Sequence, residues 1–212
     1  MITRLLMRLR SPAPTLPLLP LQAVLFPGGL LSLKVFEARY LDLVSSSLRE
    51  RTPFGVVALR QATEPGQAVD PNAFEPIGVA AELLEVDAAQ AGILHVRARG
   101  LHRFELTGQT LGAQGLWEAT YRDLPDDVAV APTDAQIDTV RGLANAIGTL
   151  KQQGSEPFLK PFRFEDAGWV ANRWCEILPI SVAAKQRLMA LDDPAARLQL
   201  VDDFLRSKGV VK

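Results

Sequence analysis

The sequence predicts an α+β fold, with a closed or nearly closed antiparallel β-barrel followed by a helical half. Over about residues 15–125, short runs of alternating apolar and polar side chains are separated by turn residues, which is typical of small barrels. After a composition break at residues 124–132, apolar residues recur at helical spacing. We therefore expect a β-rich subdomain over residues 15–125 and a helical subdomain over residues 132–208.

The first predicted strand lies in a proline-rich stretch. Five of the fifteen prolines precede residue 28, and because proline fixes φ and removes a donor, this stretch is predicted to be extended at a sheet edge. Residues 26–29 read Phe-Pro-Gly-Gly, which predicts a type II turn. Residues 30–35 then alternate as a half-buried strand, and the apolar spacing of residues 37–49 predicts a short amphipathic helix.

Five further runs have the pattern of strands. They lie at residues 53–60, 77–83, 94–99, 103–106 and 117–121. Clusters of turn residues separate them, among them Glu64-Pro65-Gly66, Asp70-Pro71-Asn72 and residues 112–115.

The helical half carries clear start signals. Thr133 with Gln136 matches a capping box, and the apolar stripe after it ends at Gly154. A second stripe runs over residues 169–178. Two further helices are predicted to start at Ser181 and at Asp193, which is followed by proline.

Composition excludes several classes of protein. The 212 residues are 48% hydrophobic and 22% charged, which is close to the average of soluble globular domains. There is no run of about 18 uninterrupted apolar residues, so we predict no membrane span. One cysteine allows no internal disulfide, and a net charge of -1 argues against general coating of nucleic acid. We expect a cytoplasmic protein.

The candidate catalytic residues are few. Neither of the two histidines has a neighbour at metal-ligand spacing, and Cys175 lies on a predicted apolar helix beside Trp174. The carboxylate pairs are expected to be solvated or to cap helices; they are Asp126-Asp127, Asp192-Asp193 and Asp202-Asp203. The sequence therefore predicts no catalytic site, no metal site and no cofactor.

One local cluster of cations stands out at residues 95–103. His95, Arg97 and Arg99 project from one strand face, and Arg103 follows after Gly100. Such a face could contact RNA phosphates. It could equally pair with the acids of residues 61–94 or face water. RNA binding therefore remains the alternative function, and we regard nucleic acid as a less favoured partner.

An ordered series of short motifs runs along the chain. In the first half the motifs are Leu16-Pro17-Leu18-Leu19-Pro20-Leu21, Val24-Leu25-Phe26-Pro27-Gly28-Gly29, Phe36-Glu37-Ala38-Arg39-Tyr40, Phe54-Gly55-Val56-Val57, Ile77-Gly78-Val79-Ala80 and Arg99-Gly100-Leu101-His102-Arg103-Phe104. Late in the chain they are Leu178-Pro179, Lys185-Gln186 and Leu188-Met189. In this order they resemble the substrate-binding N-terminal domain of Lon-type ATP-dependent proteases, and the resemblance covers about residues 15–207. Lys34-Val35 and Ala38 depart from the family's commoner His-Ile and proline.

The resemblance implies an N-terminal antiparallel PUA-like pseudobarrel followed by a C-terminal helical bundle. It implies that the motif residues are structural. A Glu37–Arg39 charge pair is expected to anchor the short helix to the barrel, and the glycines are expected at positions where the backbone geometry requires them. The structural set is Phe26, Pro27, Gly28, Gly29, Phe36, Glu37, Arg39, Tyr40, Gly55, Gly100 and Phe104.

The resemblance also implies a function. The chain contains no P-loop motif and resembles the free-standing members of the family, so we expect a non-catalytic module. Its expected partners are unfolded or signal-bearing polypeptides and a separate protease, with no membrane contact. We expect a monomer or weak dimer, and the seam between barrel and bundle is the place to look for a binding groove.

Overall fold

The computed structural model describes residues 14–60, 70–112 and 114–212. The predicted turn at Glu64-Pro65-Gly66 lies outside these residues. The β-strands are β1 (Thr15–Leu21), β2 (Leu30–Val35), β3 (Phe54–Ala58), β4 (Ile77–Gln90), β5 (Ile93–Leu111) and β6 (Trp117–Asp123). The α-helices are α1 (Ala38–Glu50), α2 (Ile137–Gln152), α3 (Ala167–Ile177), α4 (Val182–Ala190) and α5 (Pro194–Ser207).

The sheet closes on itself through its strand pairing. The strand order is β2-β5-β4-β3-β1-β6, and β6 also pairs with β5. A ring of β1, β3, β4, β5 and β6 results, and β2 extends from β5 beside it. The prediction of an antiparallel sheet is wrong for one pair, because β1 and β3 are parallel. Parallel neighbours need a crossover connection, which β2 and α1 provide here.

Strand β5 differs from its prediction as two separate strands. It is one strand of 19 residues that passes straight through Gly100. Gly100 pairs with Ala81 of β4, and a Cβ atom at this position would collide with the carbonyl oxygen of Phe26. The glycine therefore permits a close approach between two backbones instead of marking a turn.

Local capping and turn signals are confirmed. The Gly29 N–H donates to the Phe26 carbonyl over 2.9 Å, and Gly28 has φ +70°, as a type II turn requires. Thr133 and Gln136 form the capping box of a short 3-10 helix, Asp134–Gln136, which leads directly into α2. The side chains of Ser181 and Asp193 cap α4 and α5.

Two apolar cores hold these elements together. The larger core joins the sheet to α1 and to the helices of the second half, so Phe26 and Val96 belong to the same cluster as Trp174 and Leu198. The smaller core includes Leu16, Leu18, Phe104 and Trp117, from strands of the ring. Because the larger core spans both halves, the helices and the sheet bury their apolar surfaces against each other.

Candidate binding cleft

An open cleft lies where the sheet meets the helical half. We name it the seam cleft; it has a volume of about 570 Å³. The wall from the β-rich half contains Gly28 and Leu101, and the wall from the helical half contains Leu159 and Trp169. Asp126 and Asp127, of the linker 124–132, also line the cleft. The sequence analysis suggested this seam as the place to search, but no sequence signal marked the segment 159–163 as part of its wall.

Arg103 contributes to the lining of the seam cleft, contrary to its predicted place on the exposed basic face. Its side chain is only 3% exposed, and it donates to the carbonyls of Pro125 and Leu191, each over 3.1 Å. A bulge explains the error. Gly100 pairs with Ala81 and Arg103 with Val79, so one additional residue on β5 turns Arg103 to the opposite face from Arg99.

Asp127 fixes the linker to the helical half. Arg197, 1% exposed, donates to the two Asp127 carboxylate oxygens over 2.6 and 3.1 Å. It also donates to the Asn172 side-chain oxygen over 3.1 Å. Arg103 lies 3.6 Å from the same carboxylate. The expectation of a solvated or capping role is therefore wrong for Asp127, because the folded chain places two buried guanidinium groups beside it.

In the other carboxylate pairs, the expectation is confirmed for Asp193 and wrong for Asp202. Asp193 caps α5 as predicted, whereas Asp202 is buried and accepts from the Thr139 hydroxyl over 2.5 Å and from Arg206 over 2.7 Å. Asp202 thus ties α5 to the start of α2. Arg206 lies four residues from Asp202 on α5, at the spacing of a helical ion pair, but Thr139 is 63 positions away, so the sequence did not indicate the contact with α2.

A third buried arginine holds the turn that contributes to the wall of the seam cleft. Arg173 of α3 is 0% exposed and donates to the Gly28 carbonyl over 2.6 Å and to the Pro27 carbonyl over 2.9 Å. It also pairs with Glu176 over 2.7 Å. A Cβ atom on Gly29 would collide with the Glu176 carboxylate. The turn is therefore shaped to fit this ion pair.

Burial dominates the electrostatics of the Arg173–Glu176 pair. Desolvation raises the pKa of Glu176 to about 7, against the opposing influence of Arg173 and Lys185. Desolvation likewise lowers the pKa of Arg173. Both shifts disfavour the charged forms, as expected for ionisable groups removed from water.

The motif residues of α1 and the ring have structural surroundings. Arg39 pairs with Glu37 over 2.7 Å and donates to the Gly115 carbonyl over 3.3 Å, and it lies 4.7 Å from the centre of the Tyr40 ring. Phe104 is fully buried, and a Cβ atom on Gly55 would lie 2.9 Å from its ring. These contacts support a structural role, which remains a prediction. Phe36 differs, since it is 56% exposed.

The predicted basic face carries matched charges. Arg97 pairs with Glu85 over 3.0 Å and Arg99 pairs with Glu82, which was one of the two alternatives to RNA contact. His95 lies between Lys34 and Asp87 in the register of the sheet. Arg97 and Arg99 are therefore neutralised by direct ion pairs, while Lys34 and Asp87 leave one charge of each sign on either side of His95. This balance of charges does not favour binding to phosphates.

Cys175 is fully buried. Desolvation raises the pKa of its thiol to about 12, so the thiol stays protonated near neutral pH and is a poor nucleophile. Across residues 14–60, 70–112 and 114–212, no group of three or more His, Cys, Asp or Glu side chains could hold a metal ion. Within the same residues, no helix is long and apolar enough to cross a membrane.

The sheet, the helices packed against it and the cleft between them define an α+β domain. The chain belongs to the family described as the ATP-dependent protease La (LON) substrate-binding domain, whose model matches residues 15–207. It is similar to the Lon N-terminal domain protein of Xanthomonas campestris, with a TM-score of 0.70 and 26% identity, over 89% of this chain and 96% of that chain.

Two further relatives show how much of a Lon protease the chain represents. The Lon protease of Paraburkholderia phytofirmans is 29% identical over 93% of this chain and 25% of its own length. Lon protease 2 of Myxococcus xanthus is 26% identical over 91% of this chain and 24% of its own length. The chain therefore spans about a quarter of the curated relatives that it matches.

Proposed function

We propose that this protein is a non-catalytic module that binds unfolded or signal-bearing polypeptides. The observation that carries the proposal is the match of residues 15–207 to a substrate-binding domain. In this proposal the protein acts as a monomer or weak dimer and delivers polypeptides to a separate protease. The closed ring of strand pairing supports a PUA-like pseudobarrel, and the packing of α3 against α5 supports a helical bundle behind it.

The seam cleft is the proposed site for the side chains of a bound polypeptide. Leu101, Leu159 and Trp169 supply apolar surface on two of its walls. The charges that line the cleft nearly balance. Arg99 pairs with Glu82 and Arg163 with Asp166, and Arg103 lies 3.6 Å from Asp127. Lys160 and Asp126 add one exposed charge of each sign. Polypeptide binding there should therefore depend mainly on apolar burial and change little with salt.

Fluorescence anisotropy with a labelled, permanently unfolded polypeptide tests the proposal. The wild type should bind saturably, and raising the salt concentration should leave the affinity unchanged or increase it. Leu159→Glu should weaken binding at least fivefold. Leu200→Glu is the matched control, because Leu200 is an exposed leucine on α5 and does not line the cleft. Lack of binding by the wild type would refute the function, and equal effects of the two variants would refute the site.

A further inference from the structure

Strand β2 presents an edge of the sheet without a neighbouring strand. Within the described residues it ends the strand order and pairs only with β5. Its start, Leu30, comes two residues after Gly28 in the wall of the seam cleft. The edge of β2 therefore begins beside the turn that lines the cleft.

The register of the sheet determines which backbone groups this edge presents. The Gly100 N–H donates to the Gly29 carbonyl over 2.9 Å. Hydrogen-bonded and non-hydrogen-bonded residue pairs alternate along an antiparallel pair of strands, and the register between β2 and β5 has no shift. Leu31 and Leu33 therefore direct their N–H and carbonyl groups toward β5. Leu30, Ser32 and Lys34 consequently direct their N–H and carbonyl groups away from β5, where an added strand could bond to them.

The side chains beside this edge differ on the two faces of the sheet. On one face, Leu31 and Leu33 pack against the larger core but remain only half-buried. On the other face Lys34 is exposed and, among the described residues, has no ion-pair partner, whereas Arg97 and Arg99 are both paired. An added strand would bury apolar surface on one face and meet an unpaired cation on the other.

We propose that β2 binds an extended polypeptide by strand addition. Apolar residues at alternate positions of the polypeptide pack beside Leu31 and Leu33, and an acidic residue on the opposite face meets Lys34. The inference rests on the proposed function and names its mode of recognition. Main-chain hydrogen bonds supply affinity for many sequences, and the alternating side chains supply the preference.

The test uses a labelled eight-residue peptide of alternating leucine and aspartate, measured by fluorescence anisotropy against the full chain. Ser32→Pro removes one outward N–H without removing a bond between β2 and β5, and it should weaken binding at least tenfold. Lys34→Glu should weaken binding at least fivefold, and exchanging aspartate for lysine in the peptide should restore it. Circular dichroism and thermal unfolding establish that each variant is folded.

N-methylation of the peptide tests the direction of the hydrogen bonds. One version carries the methyl groups on its leucine amides and the other on its aspartate amides. Only the set facing β2 should matter, so one version should lose at least tenfold in affinity and the other should bind like the parent. Equal behaviour of both versions would overturn strand addition, as would unchanged binding by both folded protein variants.

The results also distinguish three cases, which are failure of strand addition alone, failure of the proposed function, and self-association of the chain through β2. If the wild type binds neither the unfolded polypeptide nor the peptide, the proposed function fails. If it binds the unfolded polypeptide and the edge variants bind equally well, strand addition alone fails. A dimer in sedimentation velocity that Ser32→Pro dissociates, with peptide affinity unchanged, would identify a second copy of the chain as the occupant and overturn the proposal.

Discussion

Asp127 and Arg197 are joined by two hydrogen bonds, of 2.6 and 3.1 Å, across 70 positions of sequence. The pair connects the linker after the last strand to the last helix. Both groups are largely removed from water, so each depends on the other for compensation of its charge.

Removing the carboxylate should therefore destabilise the fold. Asp127→Ala leaves Arg197 buried without its partner, and we expect a loss of about 3–5 kcal/mol in the free energy of unfolding. Chemical denaturation measures this loss. The neighbouring variant Asp126→Ala, at an exposed position, should change stability by less than about 0.5 kcal/mol; similar losses in both variants would contradict the contribution assigned to the pair.

Glu176 should make stability depend on pH. Its pKa is about 7 in the folded state and 4.5 in the reference state, so between these values the folded chain holds a proton that the unfolded chain has released. The associated stability is present below about pH 4.5 and is lost as pH rises to about 7. One pKa unit corresponds to about 1.4 kcal/mol, so the loss over this range is about 3–4 kcal/mol.

Unfolding of the wild type and Glu176→Gln across pH 4–8 measures this contribution. The glutamine variant cannot ionise at this position, so its stability should fall less steeply with pH. Parallel curves for the two proteins would show that Glu176 does not titrate in this range.

A methyl group at Gly29 should disturb the turn that Arg173 holds. In Gly29→Ala the new Cβ atom would collide with the Glu176 carboxylate and lie 2.9 Å from the Phe26 carbonyl oxygen, and we expect a loss of about 1–3 kcal/mol. Gly148→Ala is the matched control, because Gly148 lies inside α2 with no neighbour within 4 Å. That change should stabilise the protein by about 0.5–1 kcal/mol. Thermal unfolding of the two variants should therefore shift in opposite directions.

Cys175 should resist modification while the chain is folded. Its burial and raised pKa of about 12 keep the thiol protonated and inaccessible. A thiol reagent at pH 8 should react at the rate at which the chain opens, and it should react rapidly in denaturant. Rapid labelling of the native protein would show that α3 is more accessible than its packing indicates.

The sequence predicted the elements whose signals lie within a few residues. The capping box at Thr133 and Gln136 and the helix starts at Ser181 and Asp193 depend on side chains close to the backbone groups that they bond. The turn at Pro27 and Gly28 depends on the φ preferences of those residues alone. Such signals do not need the rest of the fold.

Contacts between distant residues were not predictable in the same way. The bulge that moves Arg103 from the exposed face into the seam cleft is defined by its pairing with Val79. The burial of Asp127 is defined by Arg197, which lies in another element. In each case the local pattern favoured a solvated charge, and a partner far along the chain determined the outcome. The seam cleft is formed by such contacts. The sequence could therefore indicate a groove between the two halves of the chain, but it could not indicate which residues line that groove.

The position of β1 in the ring has a consequence for how the chain folds during synthesis. β1 pairs with β3 on one side and with β6 on the other, and Leu16 lies opposite Ala119 in the second pairing. β1 is translated first, yet one of its two partners is the last strand to leave the ribosome. Until then one side of β1 has no native partner, so ring closure is a late, long-range event that slows folding and leaves the nascent chain open to strand exchange with other molecules.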